Sequence, residues 1–299
     1  MAPSTPTIIA GPVRCVLDAR AQLGECPRWD EVNQRLYWVD IDGFRLHGFD
    51  PATKALETLQ LTEEIGCFAL TQGGDFIAAL RSGFCRIASL QGGLTPLPSP
   101  DYDRTTTRFN DGRCDPKGRF WAGTLYAPKD HPGGGWYCLE ADGTFRRRGR
   151  AVTTANGLAF DQRGAYLYYA DTPEHVVYRC AFDLATGDVG EPTVFHRFPR
   201  GQGRPDGAAV DGEGHYWSAL YAGGRIVRLD PQGQQVAEIA VPAPYPTMVA
   251  FGGADLKTLF ITTARGRCTP DELARYPQSG GLFAVEVAVA GLAEPRFAG

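Results

Sequence analysis

The stretch Asp115-Pro116-Lys117-Gly118-Arg119-Phe120-Trp121-Ala122-Gly123-Thr124 joins a tight turn to a short apolar strand, and this unit decides the fold. Asp bonds to nearby backbone and Gly accepts positive φ, so the first four residues are typical of a turn. The unit recurs six times, with strands at residues 36–40, 76–80, 120–124, 167–171, 216–220 and 259–263. The strand starts are separated by 40, 44, 47, 49 and 43 residues, which indicates a repeat architecture.

Further strands follow within each repeat. After residues 216–220, for example, come a strand at 225–229, a turn at 230–233 and a strand at 236–241. Four strands in a period of this length make one propeller blade. We therefore predict an all-β fold, a six-bladed β-propeller with four-stranded antiparallel blades, and residues 1–299 as a single domain. A β-sandwich is the alternative, but it lacks a repeated four-stranded unit.

The two ends of the chain are candidates for closing the ring. Residues 14–20 are expected to pair with the last blade, although the tail near Arg296-Phe297 is an alternative. Residues 1–12 are predicted to be a flexible N-terminal extension. Residues 270–276 form the best helix candidate, of at most two turns.

Composition excludes several classes of function. The net charge of −4 disfavours a nucleic-acid partner, which usually leaves a basic footprint. Neither a signal peptide nor a membrane-spanning run is visible, so we expect a cytoplasmic protein without a membrane partner, as a monomer or a weak homo-oligomer. The eight cysteines form no CxxC pair and are interpreted as small buried residues, with a disulfide framework as the alternative.

The repeat also predicts which residues meet at the propeller axis, because the first strand of each blade lines the central channel. Counting back ten or eleven residues from each strand start gives one position per blade: Glu25, Ile65 or Gly66, Asn110, Asn156, Asp206, and Met248 or Val249. Four of these blades present a carboxylate or an amide, and two present nonpolar groups. The alternative is that the Asn-Gly and Asp-Gly pairs only form turns.

Two carboxylates that converge on one axis repel each other unless a cation lies between them. Carboxylate and amide oxygens suit hard divalent ions. We therefore predict that Glu25, Asn156 and Asp206 hold one divalent ion, Ca²⁺, Mn²⁺, Zn²⁺ or Fe²⁺. None of the five histidines falls at this position, which disfavours an imidazole-rich site.

Several segments resemble the marker motifs of the regucalcin/gluconolactonase family of sugar-lactone lactonases (senescence marker protein-like). They are Leu23-Gly24-Glu25-Cys26-Pro27-Arg28-Trp29, Arg108-Phe109-Asn110-Asp111-Gly112, Asn156-Gly157-Leu158-Ala159-Phe160, Pro205-Asp206-Gly207, Phe251-Gly252-Gly253, Thr262-Thr263-Ala264-Arg265 and Gly280-Gly281-Leu282-Phe283. The resemblance covers nearly the whole chain. It implies a six-bladed propeller, one divalent metal in the channel and hydrolysis of sugar lactones.

The resemblance also implies roles for individual residues. Glu25, Asn156 and Asp206 match the metal ligands, and Asp206 matches the catalytic acid/base. Asn110 matches an amide on the substrate side of the metal, and Arg108 matches a residue that contacts substrate oxygens.

One loop departs from the family pattern. Animal members carry acidic residues in the loop that corresponds to residues 125–135, where they contact substrate. In this chain we predict Tyr126 and Lys129 as substrate contacts instead, with a purely structural lid as the alternative.

The resulting hypothesis is a metal-dependent carboxylic ester hydrolase that opens an aldonolactone, such as gluconolactone, xylonolactone or arabinonolactone, to the aldonic acid. The chain has no G-x-S-x-G motif, which disfavours a serine-esterase mechanism. Two alternatives remain: a related propeller hydrolase of other lactones or phosphotriesters, and a calcium-binding propeller without catalysis.

Overall fold

The structure is a computed structural model that describes residues 8–9 and 11–299. Its strands group into six antiparallel sheets, the blades of a six-bladed propeller, which confirms the predicted fold. In chain order the strands are β1 (Arg14–Leu17), β2 (Gly24–Asp30), β3 (Arg35–Asp40), β4 (Arg45–Phe49), β5 (Leu56–Gln60), β6 (Ile65–Leu70), β7 (Phe76–Leu80), β8 (Gly83–Ser89), β9 (Gly92–Pro96), β10 (Thr107–Cys114), β11 (Phe120–Tyr126), β12 (Gly134–Leu139), β13 (Phe145–Val152), β14 (Ala155–Phe160), β15 (Tyr166–Asp171), β16 (Val176–Asp183), β17 (Asp188–Val189), β18 (Thr193–Arg197), β19 (Arg204–Val210), β20 (Tyr216–Tyr221), β21 (Arg225–Leu229), β22 (Gln235–Ala240), β23 (Pro246–Gly252), β24 (Thr258–Thr263) and β25 (Leu282–Glu286).

Blades 1, 2, 3 and 5 are the sheets β2–β5, β6–β9, β10–β13 and β19–β22. Blade 4 is β14–β16 with β18 outermost, and the two-residue strand β17 pairs with the far end of β16. The six strands predicted from the repeat are the second strands of the blades. Outside the blades, the described residues contain a 3₁₀ turn, Thr172–Glu174, and the expected short helix α1, Pro270–Arg275, which Thr269 and Glu272 cap reciprocally.

The turn aspartate of the repeat stabilises the strand that follows it. The Asp115 carboxylate accepts the backbone N–H of Lys117 at 2.9 Å and the indole N–H of Trp121 at 2.9 Å. In blade 5, Asp211 accepts the indole N–H of Trp217 at the same distance. Each indole is buried between neighbouring blades, so one carboxylate satisfies both the turn and a core aromatic.

The innermost strands β2, β6, β10, β14, β19 and β23 surround the axis, each in contact with the next. Every one of them has a register shift against the second strand of its blade, between Glu25 and Arg28, Ile65 and Cys67, Phe109 and Gly112, Asn156 and Ala159, Pro205 and Ala208, and Pro246 and Met248. A bulge leaves residues unpaired and re-aims their side chains. The predicted residues Glu25, Asn110, Asn156 and Asp206 therefore lie in or beside the bulges of four blades.

Blade 6 consists of β23, β24 and β25 and is completed by the N-terminal strand β1. β1 pairs with β25, with Arg14 opposite Ala284 and Leu17 opposite Leu282, which confirms the first of the two predicted closures. Ile9 bridges Val287 on the same edge. The Ile8 carbonyl also accepts the Ala288 N–H at 3.0 Å, so part of the predicted flexible extension is bonded to the last blade. Residues 1–7 and 10 of that extension lie outside the described residues.

The C-terminal tail crosses the mouth of the channel where the innermost strands end. We call residues 290–298 the strap. Its backbone bonds include Gly212 N–H to Ala290 O at 2.8 Å, Gly291 N–H to Leu256 O at 2.9 Å, Phe297 N–H to Leu70 O at 2.8 Å and Ala298 N–H to Gly118 O at 3.0 Å. The strap therefore joins blades 5, 6, 2 and 3 across the axis rather than adding a strand to the ring.

The strap also places a carboxylate under the channel. Glu294 Oε1 lies 3.2 Å from Arg28 Nε and 3.6 Å from Arg113 Nε. Arg28 is only 1% exposed, and its Nη2 donates to the carbonyl of Gly112, while Arg113 Nη2 donates to Ala208 O at 2.9 Å. One carboxylate thus balances two buried guanidinium groups that are bonded to the strands carrying Asn110 and Asp206.

All eight cysteines are free thiols, and six of them are buried, in agreement with their interpretation as small core residues. Within residues 8–9 and 11–299, no helix is long and apolar enough to cross a membrane.

Candidate active site

A cavity of about 530 Å³ opens at the mouth where the innermost strands begin. Its volume is within the usual range for small-molecule sites. Six of the seven predicted site residues line it: Glu25, Arg108, Asn110, Lys129, Asn156 and Asp206. A second cavity, of about 280 Å³, lies at the opposite mouth beside the strap, and none of the predicted residues lines it.

A chain of hydrogen bonds runs across the site. Arg108 Nη1 donates to Asn110 Oδ1 at 2.7 Å, and Asn110 Nδ2 donates to Asn156 Oδ1 at 2.8 Å. Asn156 Nδ2 donates to Thr172 Oγ1 at 2.8 Å, and that hydroxyl donates to Pro205 O at 2.8 Å. Because each donor faces an acceptor, the chain fixes both amide orientations and links blades 3, 4 and 5 next to Asp206.

Glu25 and Asp206 are buried carboxylates, 8% and 5% exposed. Burial, together with the neighbouring charge of Asp206, raises the pKa of Glu25 well above its usual range. Burial and the charge of Asp111 raise the pKa of Asp206 in the same way. Asp111 is itself buried, and its Oδ2 accepts the Leu158 N–H at 2.9 Å. Asp111 therefore repels both Glu25 and Asp206, while Arg113 and Arg28 offset part of the effect of burial on the pKa of Asp111 itself.

The donor set fits a hard divalent cation. Glu25 and Asp206 form no ion pair with any side chain of residues 8–9 and 11–299, and amide oxygens of Asn110 and Asn156 lie beside them. The described residues contain no group of three His, Cys, Asp or Glu side chains placed to hold a metal ion. A metal here would thus depend on amide as well as carboxylate oxygens, as Ca²⁺ and similar ions accept.

This repulsion predicts a pH-dependent stability for the metal-free protein. A carboxyl whose pKa is higher in the folded than in the unfolded state holds more protons when folded, so stability falls as the pH rises above the unfolded value. We expect Glu25→Gln to raise the free energy of unfolding in EDTA at pH 8 by on the order of 1 kcal/mol, and the gain to shrink towards pH 5. Urea denaturation at both pH values measures this. Asp42→Asn, at an exposed carboxylate of the same cavity, is the control, and an equal gain for both variants would contradict the prediction.

A family model described as SMP-30/Gluconolactonase/LRE-like region matches residues 23–265. The chain belongs to this family. A 6-deoxy-6-sulfogluconolactonase of Pseudomonas putida is 48% identical over 289 residues, which cover 96% of this chain and 99% of that protein. Regucalcin of Oryctolagus cuniculus is 32% identical over 294 residues, 96% of this chain and 98% of its own length. The resemblance stated from the motifs is thereby confirmed.

A solved SMP-30/gluconolactonase-type structure shares the fold throughout. Regucalcin of Agrobacterium tumefaciens, described as a calcium-binding protein, superposes with a TM-score of 0.91 at 28% identity, covering 97% of each chain.

The two substrate contacts predicted in the loop at 125–135, Tyr126 and Lys129, have different positions in the structure. Lys129 lines the cavity, but Tyr126 does not. Tyr126 is the last residue of β11, where Leu125 faces the cavity, and its ring packs on His131 with centroids 4.6 Å apart. Successive side chains of a strand point to opposite faces, so Tyr126 supports the loop instead of the site.

The sixth blade also differs from the count along the sequence. The count selected Met248 or Val249, whereas the bulge of β23 leaves Thr247 unpaired. Thr247 is fully buried, and its hydroxyl bonds to Gly24 O and Thr262 Oγ1, so it ties blade 6 to blade 1 and does not line the cavity. Met248 packs against Gly207, where a Cβ would overlap it, which explains the glycine after Asp206.

Sequence reasoning missed several lining residues: Gln22, Asp42, Arg204, Tyr221, Tyr245 and Arg267. Most of them lie in connections or at strand ends, outside the repeated position. Arg204 could have been found from the sequence, because it precedes Asp206 by two residues and begins the same innermost strand.

Proposed function

We propose that this protein is a metal-dependent hydrolase that opens a sugar lactone to the aldonic acid. At the level of enzyme class it is a carboxylic ester hydrolase of the lactonase type, as its family and the name of the Pseudomonas putida relative indicate. The observation that carries the metal-dependent part is the pair of buried, unpaired carboxylates, Glu25 and Asp206, beside two oriented amides.

Glu25, Asn156 and Asp206 would hold the ion, with Asn110 beside them. When bound, a divalent ion supplies Lewis-acid stabilisation of negative charge at the lactone carbonyl oxygen. The hydrogen bond from Asn156 Nδ2 to Thr172 keeps the Oδ1 of Asn156 turned towards this cluster.

Asp206 acts as the general base. Its carboxylate accepts a proton from the water whose oxygen bonds to the lactone carbon. The bond from that carbon to the ring oxygen then breaks, and Asp206 returns the proton to the departing oxygen. The products are one carboxylic acid and one alcohol.

Arg108 and Asn110 orient the sugar. The Arg108 guanidinium is bonded through Nη1 to Asn110 and to Phe109 O, which leaves further N–H groups of the guanidinium for substrate oxygens. A polyol needs several fixed partners if one epimer is to be distinguished from another.

The test is a panel of five- and six-carbon aldonolactones, assayed by acid release with metal-loaded and chelated protein. We expect ring opening that EDTA abolishes and that added divalent metal restores. If metal binds but no lactone opens faster than in buffer, the protein is a binding propeller and the lactonase proposal fails. If EDTA leaves the rate unchanged, the metal-dependent part fails.

A further inference from the structure

We propose that Lys129, Arg204 and Arg267 form an anion subsite in this cavity, and that the preferred substrate is a sugar lactone with a sulfonate or phosphate group away from the lactone carbonyl. The inference rests on the proposed function and specifies its substrate class.

These three cations form no ion pairs, although the charge of Asp206 acts on Lys129 and Arg204. All three line the cavity, and none makes an ion pair or a side-chain hydrogen bond with the residues that the structure describes. Other arginines of the fold are paired: Arg119 lies 2.6 Å from Asp115, and Arg228 lies 2.7 Å from Asp211. The three cations of this cavity are therefore available to a ligand.

The cations lie close enough to influence one another. Partial burial of its ammonium group at the cavity, followed by the charges of Arg204, Arg108 and Arg267, lowers the pKa of Lys129, and the charge of Asp206 acts in the opposite direction. Like charges gathered at one opening repel one another, and a bound anion would relieve that repulsion.

The positive cavity contrasts with the rest of the molecule. Four basic residues line it against three acidic ones, Glu25, Asp42 and Asp206, and two of these acids would be neutralised by a metal ion. The whole chain has a net charge of −4. A neutral sugar gains nothing from such a field, whereas an anionic one is attracted and oriented by it.

The positions of the cations suit a group at the far end of the sugar. Arg204 begins the strand that carries Asp206, and its guanidinium lies over the Tyr221 ring, 5.3 Å from the centroid. Lys129 and Arg267 are exposed residues of the rim, and Lys129 adopts a left-handed φ of 58°. Guanidinium groups bind tetrahedral oxyanions through paired N–H bonds, so sulfonate and phosphate fit better than a hydroxyl.

The experiment compares gluconolactone with its 6-deoxy-6-sulfo and 6-phospho derivatives, which share the reacting ring. We expect kcat/KM at least tenfold higher for one or both anionic lactones, with the advantage falling as ionic strength rises. The two anionic arms distinguish sulfonate from phosphate. Arg267→Gln and Arg204→Gln should each lower the ratio of anionic to neutral kcat/KM by about tenfold to hundredfold, and Arg204→Lys should restore part of it.

Arg146→Gln removes one charge from the exposed outer strand of blade 3 and is the matched control, with no expected change in the ratio. Isothermal titration calorimetry with the stable products, 6-deoxy-6-sulfogluconate and gluconate, measures binding affinity without turnover. Equal kcat/KM for neutral and anionic lactones, or equal losses on both in the variants, would overturn the subsite and leave the lactonase intact. If no lactone is opened, the proposed function fails, and preferential binding of the sulfonated acid still decides for or against the subsite.

Discussion

Asp206→Asn is expected to lower kcat for lactone opening by about 10²–10⁴-fold, because the amide cannot accept the proton of the attacking water. The substitution preserves the size of a side chain that is buried in the bulge of β19, so the fold should persist. Steady-state kinetics with saturating metal, together with the metal content of the purified variant, measure the effect.

Metal content separates the two roles assigned to Asp206. A variant that binds metal at saturation and remains inactive has lost the base, whereas a variant rescued by excess metal has lost only a ligand. Asp42→Asn, at another carboxylate of the cavity, should change kcat by less than tenfold. A metal-saturated Asp206→Asn protein within tenfold of the wild-type kcat would remove the general-base role.

Glu294→Ala is expected to lower the free energy of unfolding by about 3 kcal/mol, since it removes the carboxylate in contact with the buried Arg28 and Arg113 and leaves only the charge of Asp111 acting on them. Removing one partner of a buried pair costs far more than breaking a pair at the surface. Urea denaturation followed by tryptophan fluorescence measures the change.

The matched control is Glu57→Ala. Glu57 lies 2.6 Å from Arg35, but its side chain is 44% exposed, so the loss should stay between about 0 and 1 kcal/mol. If Glu294→Ala costs no more than Glu57→Ala, the charge under the channel does not stabilise the ring.

The repeat made the scaffold predictable because the same turn and strand sequence pattern recurs in each blade. Asp115 and Asp211 hold a turn and a buried tryptophan at once, so turn and strand are visible together in the sequence. Counting from those strands also found Glu25, Asn110, Asn156 and Asp206.

The count failed where bulges differ in length. Blades 3 and 5 skip two residues at the shift, but blade 6 skips only Thr247, so a fixed offset selected Met248 instead. Tyr126 illustrates a second limit, since a change of one residue along a strand reverses the face.

Residues such as Lys129 and Arg267 could not be found by repetition. They lie in connections of unequal length, and only the folded ring brings them to the same opening as Arg204. The repeat thus predicts the residues that all blades share in position, while residues of the rim depend on tertiary structure.

The pairing of β1 with β25 has a consequence for biosynthesis. Leu17 leaves the ribosome long before its partner Leu282, and the strap follows Leu282. Blades 1 to 5 have all their strands from contiguous sequence and can form as the chain emerges, whereas blade 6 has to await the synthesis of β25. During that interval the sheet edge destined for its partner stays open to other chains, so the nascent protein is most exposed to aggregation just before its ring closes.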